Sequence, residues 1–277
     1  MSRIYDALRQ STLSGPESWD GTARPAAVER SDMPPDDLRP VNSIAHVVTS
    51  PPRPGSHIMA GVNNDSPIRE HFRYLEHRLR GLRETSRMKR ILVTSSIPGE
   101  GKTVIATNLA ATLACGPDRV VLVDADMRGP SSERLFGMSG SAGLADILEG
   151  RAKASDVIMY LDALKVHYIP PGKAQTSPAD LLQGASARNL LETLEEFDWI
   201  VVDSTPVCVF ADALSLAAKV DAVVFVTRSG VTGRRELEQG LAALKESPLV
   251  AVVLNAYDQP RQRYYYSYYH PGRRERV

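Results

Sequence analysis

The residues Ser95-Ser96-Ile97-Pro98-Gly99-Glu100-Gly101-Lys102-Thr103 have the types and the order needed to hold a polyphosphate. Glycines let a loop turn its backbone N–H groups onto phosphate oxygens, the ammonium of Lys102 reaches the terminal phosphates, and the Thr103 hydroxyl can ligate Mg²⁺. The binding run is taken as Pro98, Gly99, Glu100, Gly101, Lys102, Thr103 and Val104. Ser96 stands where the first glycine of G-x-x-x-x-G-K-[ST] belongs, and a Gly-Lys-Thr tripeptide also occurs by chance in ordinary surface loops. Two further segments supply what the loop alone lacks. Val120-Val121-Leu122-Val123 reads as a buried strand followed by two acids, Asp124 and Asp126, and Trp199-Ile200-Val201-Val202-Asp203 repeats the design. A single strand-end aspartate commonly just caps a turn or a helix. Three of them behind one Gly-Lys-Thr loop point to Mg²⁺-nucleotide chemistry, because ligands of open α/β sheets sit at the carboxyl ends of the strands.

The elements that must position these residues can be read from periodicity. Ile91-Leu92-Val93 leads into the loop as a strand, and Ile105, Leu109 and Leu113 recur one turn apart as the apolar stripe of the helix that leaves it. Strands are expected near 90–95, 119–124, 165–169, 199–203, 222–227 and 249–254, alternating with helical stretches. That rhythm describes an α/β fold with a doubly wound, mostly parallel sheet flanked by helices. A helix over 68–84 carries Phe72, Leu75, Leu79 and Leu82 on one face, predicted to pack onto the domain. Residues 11–66 are rich in Pro, Ser, Gly, Asp and Arg without sustained periodicity and read as a disordered or extended linker. Ahead of it, Ile4, Tyr5 and Leu8 could form one face of a short helix. The chain thus divides into 1–66, a globular domain over 67–258, and a tail over 259–277.

The tail holds Tyr264, Tyr265, Tyr266, Tyr268 and Tyr269, half of the ten tyrosines in the chain. Tyrosine favours strands, yet the run lacks polar–apolar alternation and lies beyond the last core strand. Five rings on a terminal segment expose much apolar area unless they bind something. A tail that delivers hydroxyls into an active site accounts for the composition.

Composition sets outer limits. A chain of 277 residues with 43% hydrophobic content suffices for one sizeable core, and a net charge of +0 gives no bulk attraction for nucleic acid. Cys115 and Cys208 lie in apolar surroundings and are read as reduced, buried thiols of a cytoplasmic protein. No apolar run reaches the length of a membrane span and no signal-peptide core is evident, so a soluble, intracellular chain is expected.

The combination of Ser95-Ser96-Ile97-Pro98-Gly99-Glu100-Gly101-Lys102-Thr103, Asp124-Ala125-Asp126-Met127-Arg128 and Val201-Val202-Asp203-Ser204-Thr205-Pro206-Val207 closely resembles the bacterial tyrosine autokinases of capsule and exopolysaccharide biosynthesis, the BY-kinases. The resemblance extends to Ile169-Pro170-Pro171-Gly172, Ser177-Pro178-Ala179-Asp180-Leu181-Leu182, Asp221-Ala222-Val223-Val224-Phe225-Val226 and Val253-Leu254-Asn255, and Met1-Ser2-Arg3-Ile4-Tyr5-Asp6-Ala7-Leu8-Arg9 is similar to the start of an exosortase-associated branch. It implies a P-loop NTPase fold, ATP and Mg²⁺ as cofactors, and phosphorylation of the tyrosine cluster by a neighbouring subunit. Lys102 would stabilise the transferring phosphate. Thr103, Asp203 and Asp124 would surround the metal, and Asp126 or Asp124 would take the phenol proton. It further implies a ring-like homo-oligomer, with Glu70 and Arg73 in its contact motif and Glu76 where that motif ends in arginine. A membrane polysaccharide co-polymerase that activates the kinase and a tyrosine phosphatase are the implied partners, so the chain would be cytoplasmic and peripheral to the inner membrane. Arg128 is expected in an ion pair with a strand-end acid, and Asn255 either contacts the base or caps a loop. Two other classes use part of the same set: a catalytically weak ATP-binding scaffold, and a non-kinase ATPase of the partitioning type. The signature lysine of the partitioning group would fall at Ile97.

Overall fold

The computed structural model describes residues 46–48, 57–58, 67–129, 135–138 and 140–257. Eight strands, β1 (His46–Val48), β2 (Arg90–Ser95), β3 (Val120–Asp124), β4 (Met159–Leu161), β5 (Val166–Ile169), β6 (Trp199–Asp203), β7 (Ala222–Arg228) and β8 (Leu249–Asn255), form one sheet in the order β1-β4-β5-β3-β6-β2-β7-β8. Every neighbouring pair is parallel except β4 with β5. The helices are α1 (Pro67–Ser86), α2 (Lys102–Leu113), α3 (Leu144–Leu148), α4 (Ala154–Val157), α5 (Pro178–Gln183), α6 (Ala185–Thr193), α7 (Asp212–Ala217) and α8 (Arg234–Ala243). The chain leaves β2 for β3, returns to place β6 between them, and then winds outward through β7 and β8. The strand order therefore reverses beside β2, the crevice where such sheets bind ligands.

The apolar runs become strands because both of their faces are covered. Leu92, Val121, Val123, Ile200 and Val202 point to one side, into a core shared with Leu144, Leu182, Leu190 and Leu216. Ile91, Val93, Val120, Leu122 and Val201 point to the other, against α1 and α2. The stripe on α1 packs as its spacing predicts: Phe72, Leu75 and Leu79 are buried and Leu82 partly so. That helix lies over α2, which is why Ala106, Ala110 and Thr107 of α2 are buried along with Ile105, Leu109 and Leu113. The six anticipated strands are present within a residue or two of their expected bounds.

Two short strands escaped sequence reasoning. β1 falls inside the stretch read as linker, yet it pairs in parallel with β4, and Val48 and Ile58 pack on the core. Three residues are too few to show a period, so only pairing reveals them. Both cysteines are exposed rather than buried, which corrects the expectation from their apolar neighbours. Cys115 lies just past the end of α2, and Cys208 on the loop after β6. The suggested helix near Ile4, and the tyrosines of the tail, lie outside the described residues.

Two outcomes test this core. Leu79→Ala should cost about 2–4 kcal/mol and lower Tm by roughly 5–15 °C at every protein concentration, because Leu79 fills the domain's own core. A loss seen only where subunits associate would contradict that assignment. His167 lies between the rings of Tyr160 at 5.2 Å and Phe197 at 4.9 Å, and burial holds its pKa below the ordinary 6.5, reinforced by Arg119 and opposed by the Val120 backbone and Glu196. The unfolded chain therefore binds this proton more readily, and the stability tied to neutral His167 is lost as pH falls through about 6.5. Urea melts at pH 7.5 and 5.5 should show a smaller decline for His167→Phe than for wild type.

Candidate active site

The phosphate loop springs from the end of β2. Gly99 and Gly101 take left-handed backbone conformations, with φ of 82° and 94°. The first helical bond of α2 runs from Ile105 N–H to Gly101 C=O, so the N–H groups of Lys102, Thr103 and Val104 precede it and face outward from the helix start. An anion there meets both free donors and the positive end of the helix dipole. Ser96 replaces the usual glycine because α8 leaves room: a Cβ on Gly240 would stand 2.7 Å from the Ser96 hydroxyl.

Register brings the acids to this loop. Asp124 and Asp203 are direct partners across β3 and β6, and Asp203 is in turn opposite Val93 of β2. Both carboxylates are buried, at 1% and 2% exposure. Asp124 accepts the N–H of Asp126 at 2.9 Å. Asp126 accepts the N–H groups of Arg128 at 3.3 Å and Gly129 at 3.0 Å, which fixes it as the cap of its own turn. Among the described residues neither oxygen of Asp203 has a hydrogen-bond partner of good geometry. Burial pushes its pKa up to about 7, and Asp126 adds to the rise; the Thr103 hydroxyl, the Lys102 charge and the Ser204 N–H oppose it. A buried carboxylate with two orphaned oxygens, beside a threonine hydroxyl and below a phosphate loop, fits a hydrated Mg²⁺, which takes few protein ligands and shares the rest with water and phosphate.

Other expected residues divide. Lys102 is buried at the start of α2, beside Asp203. The Glu100 side chain is also buried, but it bonds within the protein and only its backbone remains for a ligand. Arg128 does form an ion pair, though with Asp212 at the start of α7 and not with a strand-end acid: Nε and Nη2 donate to its two oxygens at 2.7 and 3.1 Å, over the ring of Phe210. Asp212 opens the helix that follows β6, the strand beside β3 in the sheet, so the pair forms across neighbouring strands. Asn255 donates to the Glu100 carbonyl at 2.9 Å, so it serves the loop. Glu70 and Arg73 pair with each other at 3.0 Å on an exposed face, and Glu76 holds Arg80, which also bonds Asp118. Sequence reasoning missed Arg228, the last residue of β7, and Thr232, just beyond it, which both reach the loop. No motif marks them; their position at a strand's carboxyl end was the only available signal.

Asp203→Asn should raise Tm of the nucleotide-free protein by a few degrees at pH 8, since it removes a buried charge that Lys102, Thr103 and Ser204 offset only in part, a net cost of about 1–2 kcal/mol. The same variant should lose the Mg²⁺-dependent part of ATP binding, measured by titration with and without the metal. An unchanged melt would show that the carboxylate is solvated or paired.

Comparison with known proteins agrees with this geometry. The ParA family model, described as a NUBPL iron-transfer P-loop NTPase, matches residues 87–255. EpsB of Ralstonia solanacearum, named as a tyrosine-protein kinase, is 31% identical over 215 residues, 76% of this chain and 29% of that protein. The tyrosine-protein kinase CpsD of Streptococcus agalactiae is 30% identical over 192 residues, 68% of this chain and 83% of that protein. The succinoglycan biosynthesis transport protein ExoP of Rhizobium meliloti is 29% identical over 238 residues, 84% of this chain and 29% of that protein. The chain therefore spans less than a third of EpsB and ExoP but most of CpsD. Among solved structures, the kinase domain of the Escherichia coli tyrosine kinase ETK superposes with a TM-score of 0.69 at 25% identity, covering 74% of this chain and 82% of that one. Two register-paired aspartates beneath a Gly-Lys-Thr loop, together with the match to the P-loop family model, place the chain among the P-loop NTPases, and its likeness to CpsD shows that within them it belongs to the bacterial tyrosine-protein kinases.

Proposed function

We propose that this chain transfers the γ-phosphoryl group of ATP to tyrosine hydroxyls of a neighbouring copy, at Tyr264, Tyr265, Tyr266, Tyr268 and Tyr269, and thereby governs the polymerisation or export of an extracellular polysaccharide. The observation that carries the reading is the pairing of Asp124 with the orphaned carboxylate of Asp203 beside Lys102 and Thr103. Family membership supplies tyrosine as the acceptor, and the tyrosine-rich tail supplies the substrate.

Thr103, Asp203 and Asp124 would hold Mg²⁺ and its waters; the metal supplies charge that offsets the β- and γ-phosphate oxygens. Lys102 and the N–H groups of the loop stabilise the same oxygens as charge moves to the leaving ADP. The phenol loses its proton to Asp126 or Asp124 while its oxygen bonds to phosphorus and the bond to the ADP oxygen breaks. Ionising a phenol of pKa about 10 in advance would cost about 4 kcal/mol at neutral pH. A loose transition state makes that unnecessary, and a carboxylate that accepts the proton late suffices.

Glu70 and Arg73 lie on the exposed side of α1, available for contacts between copies in a ring-like homo-oligomer. Among the described residues no helix is long and apolar enough to cross a membrane. From the family resemblance, the reading includes attachment to the inner membrane through a polysaccharide co-polymerase, and reversal by a tyrosine phosphatase.

Intact-mass measurement of the full chain after incubation with Mg²⁺-ATP tests this. Wild type should gain several phosphates. Lys102→Met should slow the gain by at least roughly a hundredfold, and a chain ending at Arg263 should remain unmodified at the tail. Wild type that binds ATP yet gains no phosphate would favour an ATP-binding scaffold or an absent activator, and adding the cytoplasmic end of the membrane partner separates the two.

A further inference from the structure

A loop that binds phosphate through its N–H groups must turn its carbonyl oxygens elsewhere, and this loop also contains a carboxylate. Glu100 is fully buried, although it sits in the middle of an anion-binding segment. Its Oε2 accepts the N–H of Ile97 at 2.7 Å, from inside the same loop. Its Oε1 takes the hydroxyl hydrogen of Thr232, beyond β7. The hydroxyl donates because a carboxylate has no hydrogen to give, and the Thr232 oxygen also accepts the N–H of Arg228 at 2.9 Å. Arg228 Nη1 donates to the Gly99 carbonyl at 2.9 Å, and Asn255 Nδ2 donates to the Glu100 carbonyl at 2.9 Å. Asn255 is itself anchored: Ser229 N–H bonds its carbonyl at 2.9 Å, and its Oδ1 accepts Ala256 N–H at 2.8 Å. A Cβ on Gly101 would fall 2.2 Å from Asn255 Nδ2, so this contact and the φ of 94° both require glycine there.

We propose that Glu100 is a positioning residue and not a nucleotide ligand: with Thr232, Arg228 and Asn255 it forms a latch that holds the phosphate loop in its anion-binding shape before nucleotide arrives. Every member lies behind the loop. The carbonyls of Gly99 and Glu100, whose dipoles would repel phosphate, are drawn to donors from β7 and β8. The carboxylate pins Ile97 to Thr232 and closes the loop on itself. Ordering that would otherwise be required on binding is completed in the free protein, which raises affinity without touching the ligand. Nucleotide affinity therefore depends on Thr232, a residue no phosphate-loop motif contains.

The inference rests on the nucleotide-binding part of the proposed function, so its test measures binding alone and is read separately from tyrosine phosphorylation. Full-length wild type and variants are titrated with a fluorescent ADP in the presence of Mg²⁺. Thr232→Val should weaken binding about tenfold, the scale of one lost hydrogen bond, and Thr232→Ser, which keeps the hydroxyl, should restore it. Glu100→Ala should lose more, and the double variant Glu100→Ala/Thr232→Val should bind no more weakly than Glu100→Ala. That non-additivity is the signature of a shared contact and is not expected of two independent structural defects. Wild-type affinity in Thr232→Val, failure of Thr232→Ser to rescue, or losses that multiply in the double variant would each overturn the latch. The valine and serine pair decides the matter even if Glu100→Ala does not fold.

Discussion

Two carboxylates held side by side away from water are the constraint on which the rest of the molecule depends. Asp124 and Asp203 end adjacent parallel strands in direct register, and both are buried. Like charges at that spacing repel and lack hydration, so a flexible scaffold would separate them or expose them to solvent. A parallel sheet covered on both faces leaves neither escape. Burial is the main reason the Asp203 pKa is raised, Asp126 adds to it, and the nearby Lys102 charge offsets part of it.

The surrounding architecture keeps those strand ends in place. Alternate residues of β2, β3 and β6 feed two separate cores, so a slip of one residue in any strand would exchange its contacts on both faces. On one side α1 lies over α2, which buries the helix that carries Lys102 and Thr103 almost all round. On the other, Arg128 and Asp212 clamp the loop after β3 to the start of α7. The acids and the phosphate loop are thus fixed from opposite sides of the same sheet, and a site strained by repulsion is placed on rigid elements.

Much of this was legible because it follows from local pattern. Apolar runs such as Val120–Val123 and Trp199–Val202 are continuous, and the stripes of α1 and α2 have helical spacing. The Gly-Lys-Thr loop and the strand-end acids could be named from residue type and order. What escaped had no periodic signature. β1 is only three residues long and exists through its pairing with β4. Cys115 and Cys208 have apolar neighbours in sequence but lie where the chain has come to the surface. Arg128 was expected to pair, and does, but its partner Asp212 lies 84 residues away.

The class of fold, six of the eight strands and the residues able to handle Mg²⁺ and phosphate could be read from the sequence, because these depend on side-chain chemistry and on periods of two and of three to four residues. Tertiary structure decided which of those residues act together. It set Asp203 opposite Asp124, turned Glu100 away from the ligand, and brought Thr232 and Asn255 behind the loop from 132 and 155 residues along the chain. The physical reason is that hydrogen bonds and charge pairs are fixed by distance in space, and strand order, which sets those distances, is settled only when the whole sheet has packed.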